Sequence, residues 1–211
     1  MRPSCRPRRP HGYALLEVLV TLVVLLIGLL GLAGVNARAN ITEMESYQRI
    51  QALILVQDMV DRLKANRMAA PCYSNDSPGV ASGPGIKVGT GYTGTPICAL
   101  ATDIMGTVVS ASQQAQAVAD LQDWDTQLKG SAETNGGTSV GAMIGAIGCV
   151  RQIDATNNIY LVSVSWQGLA DTVAPTDATG TTCGSGSYGA ETKHRMVTAT
   201  VQIATLYVPA P

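Results

Sequence analysis

Glu17 is a single carboxylate near the start of a long apolar run, five residues after Gly12. Residues 18–35 carry no charge at all. An acid carried unpaired to the middle of a bilayer costs about 2.5–3.5 kcal/mol, so Glu17 requires a cation as partner. Four cysteines beyond the N-terminus, Cys72, Cys98, Cys149 and Cys183, supply the other reactive groups. None of them belongs to a C-x-x-C pair, which argues against zinc. The histidines are His11 and His194. His194 opens an expected strand beside Arg195, reads as a surface residue, and has no nucleophile elbow to serve. Asp120, Asp123 and Asp125 fall on the polar side of an expected helix, whereas calcium needs more oxygen ligands and a loop. Gly89-Thr90-Gly91 follows no expected strand and is not continued by Gly-Lys-Ser/Thr, so it is not a phosphate loop. These residues make no catalytic set, and the chain is read as a non-enzyme without metal or cofactor.

The elements around Glu17 give it a setting. Arg2, Arg6, Arg8 and Arg9 precede the apolar run with no acid among them. By the positive-inside rule this end stays cytoplasmic and the rest is exported. From Tyr13 the run spans about 23 residues, or about 34 Å as a helix, enough to cross a bilayer core. It continues into a helical pattern rather than a small-residue cleavage site, unlike a secretory signal peptide. Gly28, Gly31 and Gly34 suggest either a smooth packing strip or a soft spot in the helix. Residues 36–67 contain neither Pro nor Gly. Ile41, Met44, Ile50, Leu53, Val56, Val60 and Leu63 form an amphipathic stripe there. Glu45 with Arg49, and Asp58 with Arg62, have the spacing of helical ion pairs. One helix over 13–67 would extend about 80 Å, with Pro71 ending it.

Residues 74–96 are rich in Gly, Ser, Thr and Pro and read as an irregular loop. A second helix is expected over 111–129, with Val118, Leu121, Trp124 and Leu128 inward. Strands are expected over 140–150, 159–166 and 195–208, with a turn-rich stretch at 168–193. Val197, Ala199, Val201 and Ile203 share one side of the last strand. Consecutive strands with modest links make an antiparallel sheet, and a helix packed on it makes an α+β head. The expected organisation is a leader at 1–12, a transmembrane or filament-core segment at 13–35, an amphipathic segment at 36–67 and a globular head at 68–211.

The chain has 211 residues and a formal net charge of -1. Without residues 1–12 it holds ten Lys and Arg against fifteen acids. A mildly acidic chain with no basic patch argues against nucleic acid as its main partner. An even number of cysteines in an exported domain reads as two disulfides. Four cysteines allow three connectivities, and the sequence neighbours, Cys72–Cys98 and Cys149–Cys183, are the expected pairs. Each would close a loop of about 30 residues, worth roughly 3–4 kcal/mol.

The stretch Gly12-Tyr13-Ala14-Leu15-Leu16-Glu17 after a basic leader resembles the class III signal of type IV prepilins. The resemblance implies that a prepilin peptidase cuts after Gly12 and methylates the new amine of Tyr13. Tyr13 stands where the family usually has Phe. Glu17, the fifth mature residue, would then pair with the Tyr13 amine of a neighbouring subunit and set register. An ionised carboxylate away from water needs such a cation. Gly34 occupies a position where major pilins often carry proline, which suits a minor subunit. Three later segments are similar to the minor pilin family called PilV: Asp120-Leu121-Gln122-Asp123-Trp124, Gly148-Cys149-Val150-Arg151 and Ser163-Val164-Ser165-Trp166-Gln167-Gly168. The Gly-Leu-Leu-Gly-Leu-Ala-Gly run ending at Gly34 is similar too. The resemblance implies a pilin-like fold, a long N-terminal helix packed on an antiparallel sheet. Its implied partners are the peptidase, other minor pilins, the major pilin and the inner membrane. The head would be periplasmic before assembly and would join the pilus, at its tip, afterwards, supporting twitching motility and adhesion. Two further readings stand beside this one. The same signal serves pseudopilins of type II secretion, and the loops 74–96 and 168–189 could form a tip adhesin's binding surface.

Overall fold

The computed structural model describes residues 13–74, 85–92, 98, 109–131, 134–139, 141, 143–176 and 183–204. Gly12, the basic leader and residues 205–208 of the last expected strand lie outside these, as do most of loop 74–96 and part of 168–193.

The chain opens with one helix, α1, Tyr13–Ala65. By contact it divides into two units, Met1–Met44 and Glu45–Pro211, and α1 contributes to both. In the first unit every described side chain from Leu15 to Met44 is exposed. The helix ends at Ala65, slightly before the expected boundary. Arg62 and Lys64 stand in its last turn, where cations complement the helix dipole. A 3-10 segment, Arg67–Tyr73, follows and contains Pro71.

In the second unit the elements are β1 Ile86–Gly89, α2 Ala111–Leu128, a two-stranded ribbon of β2 Thr134–Asn135 with β3 Thr138–Ser139, then β4 Ile144–Asp154, β5 Ile159–Gln167 and β6 His194–Gln202. The main sheet has the order β1-β4-β5-β6, and each neighbouring pair is antiparallel. This is an α+β, pilin-like fold. Strand β1 corrects the reading of 74–96 as wholly irregular. A four-residue strand between glycines is too short to show period-2 alternation, and only its pairing with β4 reveals it. Helix α2 starts at a capping box, with Ser110 and Gln113 exchanging side-chain and backbone bonds.

The main core lies on one face of the sheet. Ala52, Val56, Met59, Val60 and Leu63 of α1 meet Leu121, Trp124 and Leu128 of α2 and Val150, Val162, Val164 and Trp166 of the sheet. The buried stripe of α1 differs from the expected one. Ile41, Met44, Ile50 and Leu53 are exposed, while Gln48, Ala52, Leu55 and Met59 are buried. Two apolar faces run along this helix, and the sequence pattern tracked partly the one that the head leaves bare. On α2, Ala117 is buried and Val118 only half-buried. The indole Nε1 of Trp124 donates to Leu55 O at 3.0 Å, satisfying the polar atom of a fully buried ring. Gly148 of β4 lies directly against that ring, where a Cβ would stand 2.5 Å from its edge.

A smaller cluster covers the other face of the sheet. Ile147, Cys149, Cys183 and Tyr188 form it, with Tyr92 and Met196 packed at its margin. Strand β5 therefore buries both faces, Ser163 and Ser165 included.

Candidate functional site: the N-terminal signal and the bonds that shape the head

Tyr13 is the first residue of α1, and Glu17 lies one turn further on. The Glu17 side chain is exposed, and among the described residues it forms no ion pair. The neighbouring Thr21 satisfies its own hydroxyl by donating to Val18 O at 2.8 Å. No atom lies within 4 Å of where a Cβ would sit at Gly28, Gly31 or Gly34, so the three present open backbone surface. The helix from Leu15 onward is long and apolar enough to cross a membrane by length and composition.

The structure joins Cys72 to Cys98 and Cys149 to Cys183, with Cα separations of 5.1 and 5.9 Å. The first bond fastens the 3-10 segment after α1. The second pins the segment from Cys183 onward to β4, across the outer face of the sheet.

Four polar arrangements, around Asp120, Asp125, Glu45 and His194, were not visible in the sequence. Asp120 was expected on the solvated side of α2 but is buried. It accepts from the Tyr73 hydroxyl, from Arg62 at 3.2 Å and from Gln116 at 2.9 Å. Arg62 also bonds Asp58 at 2.8 Å, as the helical spacing anticipated. Burial pulls the Arg62 pKa down, but its bonds and attraction to Asp58 and Asp120 outweigh this and hold it above the usual guanidinium value. Burial, then the bond to Asp120, keeps Tyr73 protonated well beyond the usual phenol range. Asp125 accepts from Gly89 N at 2.7 Å and pairs with Lys129 at 2.6 Å, so it ties β1 to α2. Among the described residues no group of acids, histidines and cysteines is gathered to hold a metal ion.

Glu45 does not pair with Arg49 as its spacing suggested. It accepts from Leu169 N at 3.0 Å, Ala170 N at 2.9 Å and Arg195 Nη2 at 3.1 Å. Those bonds, the one from Ala170 first, hold its carboxyl below the usual range against a smaller opposing effect of burial. The local helix rule could name only a partner four residues away. Arg195 is distant in sequence and reaches Glu45 only through the fold.

His194 corrects the expectation of a surface residue. It is 1% exposed. Its Nδ1 lies 2.9 Å from Glu191 Oε2 and its Nε2 lies 2.9 Å from Cys183 O. Ser165 Oγ is spent on the Tyr188 hydroxyl at 2.8 Å. With Nε2 turned to a carbonyl, no hydroxyl among the described residues is aligned with the ring, and the group is not a hydrolytic triad.

A family described as the prokaryotic N-terminal methylation motif matches residues 7–33. This is the class III prepilin signal, and it covers Gly12, Tyr13 and Glu17. It marks the chain as type IV pilin-like or pseudopilin-like. The motif belongs to structural proteins rather than enzymes. It implies processing by a prepilin peptidase and assembly with other pilins. With the apolar helix behind it, the signal fits membrane anchoring and incorporation into a pilus. No curated protein and no solved structure matches the chain.

Proposed function

We propose that this chain is a minor pilin of a type IV pilus, of the PilV kind, which helps to initiate filament assembly or to form the tip complex. Cleavage follows Gly12, Tyr13 becomes the methylated N-terminus, and Glu17 meets the Tyr13 amine of a neighbour. Residues 1–12 serve as the leader, 13–35 as the membrane and filament-core segment, and 36–67 as the amphipathic continuation that leads into the head at 68–211. In this reading twitching motility depends on the chain through assembly, with other minor pilins and the major pilin as partners. The carrying observation is the match of the methylation motif at residues 7–33, followed by a helix whose side chains are bare from Leu15 to Met44. Such a helix asks for neighbours, and Glu17 asks for a cation among them.

The test begins with the mass of the mature protein made with and without the prepilin peptidase. A methylated N-terminus at Tyr13 is expected only with the enzyme. An N-terminus at Met1, or a cut after the apolar run, would overturn the reading. Glu17→Ala should then be cleaved normally but leave few pili and little twitching. Normal piliation would remove the register role. Loss of protein export with pili intact would move the chain to a secretion pseudopilus.

A further inference from the structure

His194 opens β6. Its ring is wholly enclosed, while the Glu191 side chain beside it is 41% exposed. Both groups that face the ring are acceptors. One is a carboxylate oxygen and the other a backbone carbonyl, which has no hydrogen to give. A neutral imidazole has one N–H and one lone pair, so it would turn that lone pair on an oxygen. Two acceptors at 2.9 Å require two donors.

We infer that His194 is held as an imidazolium and acts as a proton-dependent latch, fastening residues 183–191 over the outer face of the sheet. Glu191, at one end of this strap, ties its interior to the ring. One of its oxygens accepts from His194, and the other accepts from Gly186 N at 2.6 Å. Cys183 O accepts a hydrogen bond from the second imidazolium N–H. The other groups around the latch do not replace that proton. Tyr188 lies with its ring centroid 5.0 Å from the imidazole, and its hydroxyl is bound to Ser165. Tyr92 packs on the same cluster from the turn after β1. Lys193 and Arg195 flank His194 in the chain, and the Arg195 guanidinium is engaged by Glu45 of α1 and by Ala170 O. Asp171 accepts from the hydroxyl of Thr192. Glu191 is therefore the counter-ion in direct contact.

Removing the proton sets a nitrogen lone pair against Glu191 or against Cys183 O. The 184–191 stretch then loosens, while Cys183 stays tethered by its disulfide. The latch is closed at lower pH and opens as pH rises.

The experiment uses the full chain in detergent micelles with both disulfides formed. Long-range proton–nitrogen correlations should show both ring nitrogens of His194 protonated at about pH 6, near the ordinary imidazole range. Hydrogen exchange of residues 184–190, corrected for intrinsic base catalysis, is compared with that of β5 amides in the same molecule. Protection of the strap should fall about tenfold or more between about pH 6 and about pH 9, as loss of one charge-assisted hydrogen bond implies. The β5 amides should not change. H194Q should abolish the pH dependence, and E191Q should move the loosening to lower pH. Should H194Q fail to fold, the wild-type titration and E191Q decide. One bare ring nitrogen at about pH 6 overturns the inference. So does strap protection that follows β5 at every pH, or an unaltered dependence in H194Q.

Discussion

On its inner face the sheet offers Val150, Val162, Val164 and Trp166 to two helices. On the outer face the same strands offer Ile147, Cys149, Ser163 and Ser165 to a strap of turns. The inner face is held by area. Each fully buried aliphatic or aromatic side chain is worth about 1.5–3 kcal/mol, and the contributing residues come from α1, α2 and the sheet together. The outer cluster is small and is held by named bonds: one disulfide, a tyrosine hydroxyl on Ser165, and His194 between Glu191 and Cys183 O. Gly184 shows how close the strap lies. It has a φ of 75°, and a Cβ there would collide with Ser165 Oγ and the Tyr188 ring. A face held by apolar area should resist changes of pH, whereas a face held by a few polar bonds should respond to them.

The greatest loss of stability should come from the inner face. Trp124→Ala removes a fully buried ring and its bond to Leu55 O, and should cost about 3–5 kcal/mol of unfolding free energy. Chemical denaturation followed by far-UV circular dichroism reads it. A loss below about 1 kcal/mol would mean that the inner face does not depend on area. A smaller loss, about 2–4 kcal/mol, is expected when Cys149 and Cys183 are both replaced by serine. Here the distribution matters more than the total. Amides of 183–191 should lose protection while those of α2 keep theirs. Equal loss in both would show that the two faces are a single cooperative unit.

The sequence exposed the inner face far better than the outer one. Alternation announced β5 and, as far as Gln202, β6, and the spacing of Leu121, Trp124 and Leu128 announced α2, because the large apolar side chains recur at the period of each element. Two short segments that stand out in the sequence meet in the fold, since Gly148 of one lies against Trp124 of the other. The N-terminal signal was legible because its grammar is local, with Gly12, Tyr13 and Glu17 within one short stretch. The outer face left no period. Its strap is irregular, and serines that look solvent-facing are buried by a segment that the disulfide, Tyr188 and His194 bring there. Asp120 misled for a related reason. Its charge suggested solvent, but Arg62 and Tyr73 come from elements far away in the chain. Paired burial of that kind depends on tertiary partners that no local rule can name.

Glu45 and His194 should respond to pH with opposite signs. Glu45 holds Leu169, Ala170 and Arg195, and its folded pKa is lowered chiefly by the Ala170 N–H bond. A lowered carboxylate stabilises the fold above its unfolded pKa of about 4.3, and the contribution fades as pH falls through the folded value. Glu45→Gln should therefore cost about 1 kcal/mol at neutral pH, and the variant and wild type should converge in acid. The His194 latch has the reverse sign, since it is fastened by a proton and loosens as pH rises. Arg195, which takes part in the Glu45 clamp, immediately follows His194 in the chain. Denaturation of wild type and E45Q across the acid range, beside strap exchange across the alkaline range, separates the two devices. If E45Q loosens the strap at high pH as well, Arg195 couples them and they work as one. If the strap is unmoved, the clamp secures the loop after β5 alone, and the proton on His194 governs the outer face by itself.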